Sequence, residues 1–136
     1  MIRLQVPSRL EYRDLAIRTV ASACKLVPRV RDDFSHGVIS AFSEALNNVV
    51  LHGYGIDGGD IQIEIEVGRD RLIICLMDYG RSFDLEAVPP PDLESLPESG
   101  LGVFIMRSFM DDVTYVGGIP NRLSMTKFFP ATEKTA

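Results

Sequence analysis

Residues 43–54 read Ser43-Glu44-Ala45-Leu46-Asn47-Asn48-Val49-Val50-Leu51-His52-Gly53-Tyr54. Within a helix predicted from about Ser35 to His52, the residues Glu44, Asn48 and His52 are each four apart and form one narrow stripe. The apolar residues of this helix centre on a side roughly 100° away or more, so the stripe is not simply the core face. A solvated face explains three such residues equally well. Two consecutive asparagines in mid-helix nevertheless need a reason, because their side chains compete with the backbone.

This stripe has a composition suited to phosphate chemistry. A carboxamide oxygen such as that of Asn48 is a ligand that hard cations accept. A carboxylate one turn away, that of Glu44, is a candidate general base. The stripe therefore predicts a cation and a base beside a phosphate chain.

A second candidate group is Asp78-Tyr79-Gly80, which follows the continuously apolar run Leu72 to Met77. That run predicts a strand buried on both faces. An aspartate at the end of such a strand is costly unless it has a partner, and the exocyclic amino group of adenine would be one. Gly80 would let the base approach the backbone closely. An aspartate that caps the turn after the strand is the alternative.

A third group, Ser99-Gly100-Leu101-Gly102, opens a predicted helix over residues 102–110. Backbone N–H groups at a helix N-terminus bind anions, so Gly100, Leu101 and Gly102 are candidate phosphate contacts. The same glycines are compatible with a hinge. Before them lies a predicted loop from Asp84 to Ser99 with four prolines, five acidic residues and no lysine or arginine. Loops of this length are lids or disordered segments.

The remaining pattern predicts an α+β fold. A short strand at 2–6 precedes a helix that a capping box of Ser8 and Glu11 would open. Alternating apolar residues at 61–67 predict a strand with one wet face, and residues 113–116 and 123–129 predict a closing hairpin. Hairpin strands beside helices indicate a two-layer α/β sandwich, in which helices cover one face of a mixed, mostly antiparallel sheet. We expect one domain over residues 1–130 and a short tail at 131–136.

The bulk properties exclude several classes of protein. The 136 residues carry 14 basic and 19 acidic side chains, a net charge of -5, which disfavours direct nucleic-acid binding. Cys24 and Cys75 have no metal-site spacing and are expected to be reduced core residues. There is no signal-peptide pattern and no apolar run near the roughly 18 residues of a membrane span, so a cytoplasmic location is expected.

In their order and spacing, the three groups resemble the ATP site of the GHKL (Bergerat-fold) superfamily. Residues 43–54, with the ending His52-Gly53-Tyr54, resemble the N-box of anti-sigma-factor serine kinases, the RsbW-like branch. Residues 100–112, with the ending Met110-Asp111-Asp112, resemble the last glycine box and helix of that branch. The resemblance extends over nearly the whole chain, and the length is that of a stand-alone member.

The resemblance implies a role for each matching residue. Glu44 would be the catalytic base, Asn48 the Mg²⁺ ligand and Asp78, with Gly80, the reader of adenine in ATP or ADP. His52 and the glycine-box residues Gly100, Leu101 and Gly102 would complete the nucleotide site. The implied substrate is a serine on a STAS-domain anti-anti-sigma protein, and the other implied partner is a sigma factor. The family usually acts as a homodimer.

Two departures from the family pattern leave alternatives open. Ser82 stands where a second glycine is common, so the lid would begin with less freedom. The lid has no basic residue, so a cation for the γ-phosphate would come from Arg81 or Arg107. A nucleotide-binding partner switch with little kinase activity is therefore one alternative. A kinase that feeds a pathway without a sigma factor is another.

Overall fold

The computed structural model describes residues 1–53, 58–82 and 98–130, and for residues 52, 53 and 98–100 it describes the backbone only. Three helices and five strands make up the described fold. The helices are α1 (Arg13–Cys24), α2 (Asp32–Asn48) and α3 (Glu98–Phe109). The strands are β1 (Ile2–Pro7), β2 (Asp60–Val67), β3 (Arg71–Asp78), β4 (Asp112–Val116) and β5 (Asn121–Phe128).

The five strands form one sheet in the order β1-β2-β3-β5-β4. Every strand pairing in the described sheet is antiparallel, whereas a mixed, mostly antiparallel sheet was expected. The predicted α+β sandwich is confirmed. The register places Ile63 opposite Leu76 and Leu76 opposite Leu123, which aligns the apolar residues of three strands on one face. The three helices bury their apolar sides against this face.

Strand β3 occupies the centre of the sheet, and its two faces are buried by different means. Leu72, Ile74 and Leu76 belong to the core under the helices. On the opposite face Cys75 and Met77 are also buried, because the side chain of Arg122 lies over them. Its Nη2 lies 3.3 Å from the Cys75 Sγ and its Nη1 lies 3.4 Å from the Met77 Sδ. The long arginine side chain thus replaces a second layer of structure.

The helix ends show where the sequence patterns were misleading. The predicted capping box is wrong: among the described residues the buried Ser8 hydroxyl has no hydrogen-bond partner, and Glu11 forms an ion pair with Arg9 instead. A 3₁₀ turn over Leu10–Tyr12 therefore precedes α1. At its C-terminal end, helix α2 continues into a π-helical turn over Val49–Gly53. Such turns are rare and occur frequently at functional sites.

Both cysteines are buried free thiols, as expected. Burial raises the pKa of the Cys24 thiol, and a hydrogen bond with Ser35 opposes that shift only in part. The Cys24 thiol therefore stays protonated near neutral pH and is a core side chain of low reactivity.

Three predicted segments lie wholly or partly outside the described residues. They are residues 54–57 of a glycine-rich turn predicted at 53–59, residues 84–97 of the lid predicted at 84–99, and the tail at 131–136. The last two residues of the predicted lid, 98 and 99, belong to the first turn of α3. Within the described ranges, no helix has both the length and the apolar character that crossing a bilayer requires.

Candidate active site

The stripe on α2 faces α3. A Cβ atom added at Gly102 would lie 3.1 Å from Glu44 Oε2 and 3.7 Å from both amide atoms of Asn48. Glu44 and Asn48 are half-buried, and among the described residues no hydrogen bond or ion pair engages either of them. The stripe is therefore neither a core face nor a solvated face. It brings a carboxylate and a carboxamide to the backbone near the start of another helix.

The glycine box supplies that backbone. Because α3 begins at Glu98, Gly100 and Leu101 lie in its first turn and Gly102 follows directly. The N–H groups of a first helical turn have no partners within the helix and attract anions. Gly102 contributes mainly by having no side chain, since a Cβ at this point would press on Glu44. The first and third sequence motifs are thus brought together in space.

Asp78 ends β3 with its side chain on the helix-facing side of the sheet, and it is only 5 % exposed. Its Oδ1 accepts hydrogen bonds from the Gly80 N–H at 2.9 Å and from Asn121 Nδ2 at 3.1 Å. The described residues give Oδ2 no hydrogen bond. The buried carboxylate is therefore fixed through one oxygen, and the other remains able to accept a donor from a ligand.

Asn121 is a site residue that the sequence reasoning missed. It lies directly opposite Asp78 in the β3–β5 register and is fully buried. The sequence placed it in the turn of the closing hairpin. A signal was nevertheless present in the sequence. Asn121 continues the alternation of Leu123 and Met125, which places a polar side chain on the same face of β5 as these apolar ones.

For the other residues that the sequence singled out, the structure gives fewer contacts. His52 lies in the π-helical turn after α2, but its side chain is outside the described part. Arg81 and Arg107 are both exposed. Ser82 donates its hydroxyl hydrogen bond to Asn121 Oδ1, which ties this position to the sheet.

Comparisons with known proteins identify the family of the chain. The family model described as a histidine kinase-like ATPase domain matches residues 6–127. The serine-protein kinase RsbW of Bacillus cereus (strain B4264) is 34 % identical over 135 residues, covering 93 % of this chain and 84 % of that protein. RsbW of Bacillus mycoides (strain KBAB4) is 33 % identical over the same shares of the two chains.

Two solved structures share the fold at low sequence identity. The histidine kinase AdeS of Acinetobacter baumannii is 16 % identical with a TM-score of 0.57, and the match covers 96 % of this chain and 69 % of that one. The histidine kinase domain of a blue-light activated kinase from Erythrobacter litoralis is 15 % identical with a TM-score of 0.56. That match covers 90 % of this chain and 61 % of the other, so this chain spans less than two thirds of its length. With a matching model over nearly the whole sequence and relatives at 34 % identity, the chain belongs to the RsbW family of serine-protein kinases, within the histidine kinase-like ATPase domains.

Proposed function

We propose that this protein is an ATP-dependent serine kinase and anti-sigma factor, which phosphorylates a STAS-domain anti-anti-sigma protein and binds a sigma factor. The observation that carries the kinase part is the approach of Glu44 and Asn48 to Gly102. It puts a carboxylate and a carboxamide beside the start of a helix, where backbone N–H groups favour phosphate.

The nucleotide is proposed to bind between these elements and the end of β3. Asp78 would accept a hydrogen bond from the adenine amino group, and Gly80 would leave room for the ring. Gly100, Leu101 and Gly102 would contact the phosphates, with His52 nearby. The donor set also fits Mg²⁺, which takes oxygen ligands and is often held by few protein groups together with phosphates. Asn48 would hold it through its amide oxygen.

The proposed reaction transfers the γ-phosphoryl group of ATP to a serine hydroxyl. Glu44 accepts the serine proton as the serine oxygen forms its bond to phosphorus. The bond from phosphorus to the β–γ bridging oxygen breaks, and ADP leaves with that electron pair. Bound Mg²⁺ supplies charge neutralisation on the phosphates. The chain's own work is to position the reactants and to hold the base, which is most of what phosphoryl transfer requires.

The partners and location follow from the same proposal. Phosphorylation of the anti-anti-sigma protein would change which partner the kinase holds. A homodimer would present two such sites, and neither a membrane nor a nucleic acid is proposed as a direct partner. The cytoplasm is the proposed location, which suits the two free thiols.

The test is phosphotransfer by Glu44→Gln. With Mg²⁺-ATP and a STAS-domain protein from the same genome, we expect the variant to lose roughly 10²- to 10⁴-fold in rate, the usual contribution of a general base. Its affinity for Mg²⁺-ATP, measured by calorimetry, should change little. Glu66→Gln is the matched control, because Glu66 is an exposed glutamate on the outer face of β2.

The outcomes separate the alternatives. A Glu44→Gln variant that transfers phosphate at the wild-type rate would remove Glu44 as the base. A wild type that binds ATP without transferring phosphate would be the nucleotide-binding partner switch. Phosphotransfer without sigma-factor binding would indicate a kinase of another pathway.

A further inference from the structure

Asn121 is one of two polar residues within the buried set of the described chain, the other being Asp78. It is 0 % exposed and begins β5 on the helix-facing side of the sheet. A buried carboxamide is costly unless its donors and acceptor oxygen find partners. The partners it has therefore reveal what it holds in place.

All the hydrogen-bonding capacity of this amide is used. Nδ2 donates to Asp78 Oδ1 at 3.1 Å and to the Gly80 carbonyl at 2.8 Å. Oδ1 accepts from the Gly118 N–H at 2.9 Å and from the Ser82 hydroxyl. We call these five residues the Asn121 network. It joins the end of β3, the residues that follow this strand and the turn between β4 and β5.

The network determines how the Asp78 carboxylate is oriented. The terminal torsion of an aspartate is broad, so its two oxygens exchange places unless something fixes them. Asn121 Nδ2 and the Gly80 N–H both engage Oδ1, which leaves Oδ2 as the free acceptor. Loss of the Asn121 amide would release one of the two restraints.

The contact between Ser82 and the β4–β5 turn depends on a close fit. A Cβ atom added at Gly117 would lie 3.1 Å from both the Cβ and the Oγ of Ser82. The absence of a side chain at Gly117 is thus what lets Ser82 reach Asn121. Ser82 stands where the family pattern commonly has a glycine, and its hydroxyl ties the residues after β3 to the sheet.

We propose that Asn121 is a positioning residue that orients Asp78 toward the adenine amino group and that Ser82, which donates to the Asn121 amide oxygen, helps to hold it in that orientation. This inference rests on the proposed nucleotide site. It adds a residue that determines base specificity.

The first experiment measures two ligands on two proteins by calorimetry with Mg²⁺. The ligands are ATP and purine riboside triphosphate, which lacks only the exocyclic amino group. Wild type should prefer ATP by about tenfold, as expected for one hydrogen bond to a charged group. Asn121→Ala should lose most of that preference, because its affinity for ATP falls about tenfold while its affinity for the analogue changes less than about threefold.

A merely structural role gives a different result. If both ligands weaken equally in Asn121→Ala, or if the preference for ATP persists, the positioning role is overturned. Arg122→Ala is the control, since Arg122 is the next residue of β5 and its side chain lies on the opposite face of the sheet. It should keep the wild-type preference. A wild type that binds neither ligand, or both equally, would instead overturn the proposed adenine site itself.

Two further variants guard against failed folding and test Ser82. Asn121→Leu has a similar branched shape without hydrogen bonds, so it replaces Asn121→Ala if circular dichroism shows that the alanine variant is unfolded, and the same loss of preference is expected. Ser82→Ala alters an exposed residue. It should lower the preference for ATP by about threefold, because the Asn121 amide loses one hydrogen bond, whereas an unchanged preference would overturn the part given to Ser82.

Discussion

The contact between α2 and α3 is apolar at one end and polar at the other. At the apolar end, a Cβ added to Gly37 would lie 3.1 Å from Phe109 Cδ1, and the ring of His36 meets that of Phe109 edge-on at 6.1 Å. At the polar end, a Cβ added to Gly102 would lie 3.1 Å from Glu44 Oε2. The helices thus run antiparallel, and each contributes one glycine to the contact.

The difference between the two ends lies in what each glycine admits. Gly37 admits an aromatic ring that packs on the core, so that end contributes chiefly to stability. Gly102 admits a carboxylate and a carboxamide that have no other partner among the described residues, so that end contributes chiefly to chemistry. A similarly close helix contact thus supports stability at one end and the proposed chemistry at the other. Substitutions at the two ends should therefore separate stability from phosphotransfer.

The largest effect is expected from Phe109→Ala at the apolar end. Phe109 is half-buried against the core, so its truncation should lower the free energy of unfolding by about 2–3 kcal/mol, somewhat less than for a fully buried phenylalanine. Urea denaturation measures this loss. Well below the melting temperature, the affinity for Mg²⁺-ATP should stay close to that of wild type, and a loss of binding in the folded variant would contradict the division between the two ends.

A smaller effect is expected from Gly102→Ala at the polar end, and it should lower the phosphotransfer rate instead of the stability. Alanine favours the helix by up to about 1 kcal/mol over glycine, and the group in its way is the end of a flexible side chain, so stability should hold or rise. The displaced Glu44 carboxylate should lower the phosphotransfer rate by about tenfold. Single-turnover kinetics with saturating ATP, beside thermal denaturation, test both halves. An active variant would show that Glu44 tolerates displacement.

Much of the fold could be predicted because period-2 and helical patterns mark the faces that become the core. The alternation from Ile61 to Val67 and the apolar run of β3 gave strands that agree with the observed ones to within one residue. Helix ends were harder, because they depend on local geometry. Ser8 and Glu11 have capping spacing, yet the chain enters a 3₁₀ turn there, and in the described part of the chain the serine hydroxyl bonds to no backbone group.

The site could be predicted only within single elements. Helical spacing placed Glu44 and Asn48 on one stripe, but whether the stripe meets solvent or another helix depends on how α3 packs. Asn121 was missed for a related reason. Its role depends on the register between β3 and β5, which joins residues 43 apart in sequence, and a pattern within one strand does not give that register.

The smallest effect is expected from Gly37→Ala, and its sign tests the comparison most closely. As at Gly102, alanine brings a helix-propensity gain of up to about 1 kcal/mol.

At Gly37 the opposing atoms belong to the ring and Cβ of Phe109, at 3.1–3.5 Å, and the Phe109 carbonyl accepts a hydrogen bond from Lys127 Nζ at 2.7 Å. The ring and Cβ of Phe109 are attached directly to this hydrogen-bonded backbone and move less easily than the end of a flexible carboxylate side chain, so overpacking of about 1–3 kcal/mol should exceed the gain. The net loss of stability, about 1 kcal/mol by urea denaturation, should come with unchanged phosphotransfer. A variant more stable than wild type would mean that the apolar end yields as readily as the polar end, and the two ends would then differ only in chemistry.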